Sequence, residues 1–461
     1  MRNSISVFNL CFVLAILLGI PISSGAGTIP LNANPKDFQQ VINRAKAQIF
    51  PAVVFIQCLR ETNETGKNMR HGVSGSGVVI SAKGEVVTNW HVIDQAVEVR
   101  CLLNDGSVYD AEVIGSDKDT DIALLQLQQI GDESLPFAEV MDGKELEEGD
   151  FVMALGAPWG LNRSVSFGII ACKDRYLPTV SEYCCWIQTD ASISPGNSGG
   201  PLVDTTGRVI GINTRGTMQG GDMGFAIPGY IINEVVPRLR TYGDAKWGWT
   251  GLRLQPLRDF QRNIYFEGDS GVIVSDVEAG SPSDLAGLKP LDRLIAIGDS
   301  PVTAIMEEDL PAVRRKLALL PEGEPIDITV VRSSEDMELA LTPLAKGSVQ
   351  GEEFSCERWD FSVKTINKYE TPNLYFQNPE GVYVYGIRYP GNSQNAGIMR
   401  RDVLLKVNGL PVNSLEEVRK LHAKTLENLE KGGPKRIVFS LLRNNRNIQA
   451  VVDISRDYSD S

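Results

Sequence analysis

Ile193-Ser194-Pro195-Gly196-Asn197-Ser198-Gly199-Gly200-Pro201 decides the reading of this chain. The run sets Ser198 among glycines and prolines that suit a tight turn. Such a backbone can bring two N–H groups toward one point, as an oxyanion hole requires. Ser198 is therefore the candidate nucleophile, with Gly196, Asn197 and Ser198 forming the hole. A serine hydroxyl is a weak nucleophile near neutral pH, so this reading demands a general base elsewhere, and histidine is the usual choice.

The sequence holds three histidines. His422 lies within Leu415 to Lys424, whose charges and helical spacing suggest a solvated helix face. His71 follows the polar run Glu61 to Arg70, which reads as a loop. His91 follows the β-branched stretch Val86-Val87-Thr88-Asn89-Trp90, so a rigid strand end would hold it, and it is the best base. A carboxylate should orient its imidazole and stabilise the imidazolium. Of the acids in Asp117-Lys118-Asp119-Thr120-Asp121, only Asp121 leads directly into the apolar strand Ile122 to Leu127, and it is chosen. Each piece alone has a bland reading as a turn, a structural histidine or a loop cap. The chain order His, Asp, Ser is that of chymotrypsin-like enzymes, and each residue sits in strand-and-turn sequence of the right kind.

Thr88-Asn89-Trp90-His91-Val92, Thr120-Asp121-Ile122-Ala123-Leu124, Gln188-Thr189-Asp190-Ala191 and Gly196-Asn197-Ser198-Gly199-Gly200-Pro201 resemble the four signatures of HtrA/Deg serine proteases. Gly207 to Thr214 and Gly224-Phe225-Ala226-Ile227-Pro228 extend the likeness over most of the chain. The resemblance implies a mainly β fold, a chymotrypsin-like double β-barrel followed by two PDZ domains. It implies a serine endopeptidase without a cofactor.

Composition agrees without establishing this. At 461 residues and 42% hydrophobic the chain is too long for one core and should divide into about three domains. A net charge of −13 argues against nucleic acid and against attraction to anionic membranes. Met1-Arg2, the apolar run Leu10 to Ile20 and the small residues Ser24 and Ala26 have the parts of a secretory signal peptide, residues 1–26, which predicts an exported protein. The run is short for a bilayer, which needs ~20 apolar residues, so no stable membrane insertion is expected, although a retained anchor is the alternative. Beyond the leader stand Cys58, Cys101, Cys172, Cys184, Cys185 and Cys356. Two readings stand side by side: disulfides, such as Cys172 with Cys184 or Cys185, or small buried hydrophobes. No Cys and His cluster has metal-ligand spacing, so no metal is expected.

Asn34 and Pro35 read as the start of a helix running to Ile49. From Val53 to Pro228 short β-branched or apolar runs alternate with Gly, Asn and Asp turns, an all-β barrel signature, and Tyr230 to Leu239 reads as a closing helix. The predicted protease domain covers 34–243. Gly280 to Ile297 then parallels Gly391 to Val407, each preceded by an apolar strand and followed by Pro-Val, so the modules are duplicated. They resemble PDZ domains, at 247–345 and 354–455.

PDZ modules add an extended peptide to a sheet edge and capture its terminal carboxylate. By resemblance Thr250, Gly251, Leu252 and Arg253 would do this in the first module. The second offers Trp359-Asp360-Phe361-Ser362, without the glycine and with an acid beside the expected carboxylate, and a spacer or assembly contact is its alternative role. The resemblance also puts the specificity pocket at Ser192 and at Asn213-Thr214-Arg215-Gly216. Ser192 stands where enzymes that cut after basic residues carry Asp, so apolar side chains are expected at the cleavage position, and Gly216 suggests a wide pocket. Lys173 to Glu182 aligns with the family's regulatory loop, with Arg175 as its sensor. Family likeness further implies a homo-trimer or higher oligomer, unfolded or misfolded proteins and C-terminal peptides as partners, and the bacterial periplasm. The competing readings are a non-catalytic chaperone and a membrane-tethered regulatory protease.

Overall fold

The computed structural model describes residues 35–131, 134–157, 164–217, 223–258, 270–348, 350–375 and 381–458. The expected signal peptide, 1–26, and Asn34 lie outside these residues. The first element among the described residues, α1 (Pro35–Ile49), carries proline in its first turn, where a missing N–H costs nothing.

Twelve strands follow and close into two barrels. The first contains β1 (Val53–Thr62), β2 (Met69–Val79), β3 (Glu85–Asn89), β4 (Ala96–Leu102), β5 (Val108–Asp117) and β6 (Ile122–Leu127), paired in the order β1-β2-β3-β6-β5-β4. The second contains β7 (Phe151–Gly156), β8 (Ser164–Tyr176), β9 (Cys185–Thr189), β10 (Pro201–Asp204), β11 (Val209–Thr217) and β12 (Met223–Pro228), in the order β10-β11-β12-β9-β8-β7. Closure leaves neither sheet an open edge, so backbone groups are satisfied and side chains fill both interiors. Val54, Ile56, Val86, Val87 and Leu124 are fully buried in the first barrel, and Val152, Ala154, Leu202 and Ala226 in the second. The helix α2 (Gly229–Tyr242) packs on β5 and β6 of one barrel and β11 and β12 of the other, which straps the two together.

The polar run Glu61 to Arg70 is not a loop throughout. Thr62 pairs with Met69 and Arg60 with His71, so β1 and β2 extend as a hairpin, half-buried along β1 and exposed along β2. Polar strands lack the apolar alternation by which a strand is read.

Two smaller sheets follow the barrels. The first module orders β14 (Leu252–Gln255), β15 (Val272–Val277), β16 (Arg293–Ile297), β18 (Ile326–Arg332) and β19 (Glu335–Leu341), with β17 (Ser300–Pro301) beside β16. Here β13 (Gly248–Trp249) pairs with β20 (Leu344–Ala345), and α3 (Leu310–Ala318) covers the core of Val272, Val274, Leu294 and Ile328. The second module repeats the pattern with β22 (Phe361–Thr365), β23 (Val382–Ile387), β24 (Val403–Val407), β26 (Arg436–Arg443) and β27 (Arg446–Asp453), with β25 (Leu410–Pro411) beside β24 and α4 (Leu415–Glu430) across the core. One strand differs: β21 (Glu353–Cys356) joins the main sheet at β22.

His422 is 5% exposed, not solvated: on α4 it meets Trp359 edge-on at 5.0 Å between ring centroids. Burial pushes its pKa down. All six described cysteines are free thiols, five of them buried, so the hydrophobe reading holds and the Cys172 pairing does not. Burial pushes Cys58 and Cys101 each up to about 12, which leaves them protonated and unreactive.

Candidate active site

The barrels meet along a seam, and the three chosen side chains lie on it. A one-turn helix, Trp90–Ile93, ends β3 and carries His91. Asp121 precedes β6, the neighbour of β3, so the pairing Asn89↔Ile122 brings the two residues together. His91 Nδ1 lies 2.9 Å from both Asp121 carboxylate oxygens, and the His91 N–H donates to Oδ1 at 3.0 Å. Trp90 N–H and the Asn89 side chain donate to the Asp121 carbonyl at 3.0 and 3.2 Å. From the second barrel the Thr214 hydroxyl donates to Oδ2. Asp121 is 3% exposed and adopts φ +59°, a left-handed conformation unusual for a residue with a side chain. With both its oxygens occupied, the carboxylate fixes the ring so that Nε2 is left for proton transfer.

Behind Asp121 its loop is anchored by Asp117. Thr120 donates to Asp117 through N–H at 2.9 Å and hydroxyl at 2.5 Å, and the Trp247 indole donates at 3.0 Å. Burial, reinforced by the Asp119 charge, pushes Asp117 up to about 6. The Lys346 ammonium holds Asp119 at 2.7 Å.

Ser198 stands at the end of a turn closed by the Asn197 N–H donating to the Ser194 carbonyl at 2.9 Å. Pro195 and Gly196 occupy its centre, and Gly196 has φ +103°, the combination of a type II turn that only glycine takes without strain. Among the described residues neither the Gly196 nor the Ser198 amide meets an acceptor, so both are available to an oxyanion. The Asn197 amide is committed to the turn and adds no third donor. Its side chain instead accepts from the Ser164 hydroxyl at 2.9 Å. The Ser198 hydroxyl donates to the Thr214 carbonyl at 2.8 Å rather than to His91, so attack requires a side-chain rotation toward the imidazole.

Two contributors went unread in the sequence. Ser76, fully buried on β2, donates to the Gly196 carbonyl at 2.6 Å and accepts from the Ala157 N–H at 2.9 Å. It thereby pins the Gly196–Asn197 peptide from the opposite barrel. Thr88 donates to the Ser76 carbonyl at 2.7 Å. A Cβ on Gly199 would lie 2.1 Å from that carbonyl, so glycine is needed there for the barrels to touch. A serine between two glycines, Gly75-Ser76-Gly77, was the available signal.

His91 and Ser198 share a cleft of about 540 Å³ with Ser192, Ile193, Thr214, Gly216 and Met223. No carboxylate of the described residues lines it. Asn213 does not belong to it: fully buried, its amide donates to the Leu155 and Pro201 carbonyls at 3.1 and 3.0 Å and so knits the barrel. Gly216 does not widen the cleft. A Cβ there would lie 2.6 Å from the Ile193 carbonyl, so the glycine lets the Ile193 segment close in.

Arg175 lies on β8, opposite Trp186, and donates to the Gln188 side chain at 2.9 Å. The contacts to the first module come from its neighbours. Tyr176 accepts from Arg314, the Tyr183 carbonyl accepts from Arg315 at 2.5 Å, and the Cys185 thiol donates to the Glu308 carbonyl at 3.3 Å. In that module Gly251 has φ +78°, and a Cβ would lie 2.2 Å from the Ser281 Cβ. The Thr250 carbonyl accepts from the Ser283 N–H at 3.0 Å, and Leu252 opens β14, whose outer edge is unpaired among the described residues. Arg253 is exposed and faces Asp276 at 3.8 Å.

Residues 75–212 match the family model of the trypsin-like peptidase domain, and residues 273–332 that of the PDZ domain. A probable periplasmic serine endoprotease, DegP-like, from Chlamydia trachomatis is 32% identical over 357 residues, 76% of this chain and 70% of that protein. The periplasmic pH-dependent serine endoprotease DegQ of Escherichia coli is 32% identical over 385 residues, 81% of this chain and 79% of that protein. Among solved structures, the HtrA-type protease AlgW with tripeptide superposes with a TM-score of 0.58 at 29% identity, covering 66% of this chain and 97% of that one.

Proposed function

The chain belongs to the HtrA family of trypsin-like serine endoproteases, and from that premise we propose how its own residues divide the work. Ser198 attacks the peptide carbonyl, His91 takes its proton and returns it to the leaving amine, and Asp121 orients the ring and stabilises the imidazolium. The Gly196 and Ser198 amides receive the oxyanion. The observation that carries this reading is the 2.9 Å grip of Asp121 on His91 Nδ1 within the cleft that holds Ser198.

The cleft walls formed by Ile193 and Met223 favour apolar side chains at the cleavage position. A Lys or Arg there would lose its hydration without an offsetting carboxylate. The protease domain spans 34–243, with PDZ domains at 247–345 and 354–455. The first of these captures C-terminal peptides at Thr250, Gly251 and Leu252. Unfolded or misfolded proteins in the periplasm, the compartment named for the Chlamydia trachomatis and Escherichia coli relatives, are the substrates, and a homo-trimer or higher oligomer is the working unit. Among the described residues no helix is long and apolar enough to cross a membrane.

Ser198→Ala tests the core of the proposal. Loss of such a nucleophile costs ~10⁶ in turnover, and labelling by a serine-reactive fluorophosphonate should vanish with it. Casein cleavage at the wild-type rate by this variant would refute the assignment.

A further inference from the structure

We propose that the second module is a closed receptor: its peptide groove is filled by the chain's own strand β21, so C-terminal peptides are captured by the first module alone. The second clause rests on the peptide capture proposed above; the first does not.

Among the described residues of the first module β14 has one neighbour, β15, and its other edge is open, because β13 turns away to pair with β20. In the second, β22 has β23 on one side and β21 on the other. The pairs run from Cys356↔Phe361 to Glu353↔Lys364, the whole length over which an added peptide would lie. Strand addition draws its affinity from those main-chain hydrogen bonds, and here they are made in cis.

The strand also fills the groove beneath α4. Phe354 meets the His422 ring edge-on at 5.6 Å, and the Arg419 guanidinium lies 4.9 Å over the Phe354 ring. His422 Nε2 lies 2.5 Å from the Glu357 carbonyl, just beyond the strand. At its other end β21 is held by Glu353, which pairs with Lys364 at 3.1 Å and accepts from Gln95 of the first barrel at 3.0 Å.

The loop that would receive a terminal carboxylate is occupied too. Leu252 and Phe361 each open the strand after the turn, so Asp360 takes the place of Gly251, with φ +58° against +78°. The Asp360 carboxylate, 2% exposed, accepts the Asn392 N–H at 2.8 Å. Arg388 lies 3.6 Å from this carboxylate and offsets its charge, so the cation beside the loop is already committed to a carboxylate of the chain itself. A tethered strand competes at an effective concentration on the order of millimolar, so a free peptide at micromolar concentration does not displace it.

Hydrogen exchange on full-length Ser198→Ala protein tests this, with and without a labelled decapeptide ending in Leu-Val with a free carboxylate. In the free protein the amides of 353–356 and 361–365 should exchange on the order of a hundredfold more slowly than the outward amides of β14. The peptide should slow 250–255 and leave 353–365 unchanged. Fast exchange of 361–365 in the free protein, or peptide that releases 353–356 while protecting 361–365, overturns the proposal. If the peptide protects neither module, capture by the first module fails, while the closed groove stands on the free-protein rates. Phe354→Asp should raise exchange of 353–356 about tenfold or more, as local opening becomes easier. Unchanged exchange in that variant would overturn Phe354 as the anchor.

Discussion

The two modules share a frame and differ at one edge. Arg332 grips Asp292 with two hydrogen bonds of 2.6 Å and reaches the Gly287 carbonyl at 2.7 Å. Arg443 grips Asp402 with two of 2.6 Å and reaches the Gly397 carbonyl at 2.8 Å. Each aspartate is 1% exposed and also accepts a backbone N–H, from Lys289 or Met399. This duplicated clamp fixes the turn before the central strand and leaves the outer edge free to vary. Duplication has kept what holds each sheet and has let the ligand edge diverge.

The modules also reach the protease domain at different places. The first connects through Trp247, which stacks on Tyr183 at 4.7 Å and donates to Asp117. The second takes the β1–β2 turn: Ser362 donates to the Asn63 carbonyl at 2.5 Å and Tyr385 to the Glu64 side chain at 3.0 Å. A Cβ on Gly66 would lie 2.3 Å from the Arg388 nitrogen, and one on Gly386 2.4 Å from the Glu64 carbonyl. The fit requires glycine on both sides.

The common frame gives the largest expected effects. Arg332→Met and Arg443→Met each leave a buried carboxylate unpaired and should cost about 3–5 kcal/mol in their own module. Urea unfolding followed by exchange within each module measures this, and a cost confined to one module would break the equivalence.

Next in size is the joint to the first module. Asp117 binds a proton up to about pH 6 in the folded chain but only to its ordinary 3.8 when unfolded. Between those values the native state holds more protons, so this group's contribution to stability falls as pH rises and is regained on acidification. The linkage amounts to about 3 kcal/mol across the window. Asp117→Asn should flatten that part of the stability-against-pH curve, whereas Gly66→Val, at the joint to the second module, should leave the slope intact.

The loops differ by less. Gly251→Ala forces a side chain into a left-handed position already crowded by Ser281 and should cost about 1–3 kcal/mol. Asp360→Gly should relax the backbone at the matching position but loses the bond from Asn392 and the ion pair with the buried Arg388 at 3.6 Å, for a net cost of about 1–3 kcal/mol. A gain in stability would show that backbone strain at this position outweighs both contacts. Smallest is the exposed pair of Arg253 and Asp276, where Arg253→Ala should change stability by less than about 0.5 kcal/mol while peptide affinity reports any role in capture.

Much of the site was legible because its signals are local. Val86 to Trp90 reads as a buried strand with His91 at its end, and Asp121 opens the strand that pairs beside it. Ser76 escaped notice because it acts across the seam, on the carbonyl of a residue 120 positions away. Family likeness puts Asn213 in the pocket wall with Thr214 and Gly216. A bulge in β11 at Thr214 and the bonds of the Asn213 amide to Leu155 and Pro201 turn it into the barrel instead. In the second module the tryptophans of Trp249-Thr250 and Trp359-Asp360 suggest one alignment, and the strand starts impose another, shifted by one residue. What must match is the left-handed residue before the strand, and Trp359 is fully buried in its own core.

By itself the sequence singled out a candidate nucleophile, base and orienting acid, and it carried the barrel strands and the duplication, since each is written in the side chains of a short window. Only the tertiary structure decided that β21 pairs with β22, which turn amides among the described residues lack an acceptor, and that His422 lies under Phe354. Backbone N–H and C=O groups are the same at almost every position, so which partner they take depends on distant segments that meet only after folding.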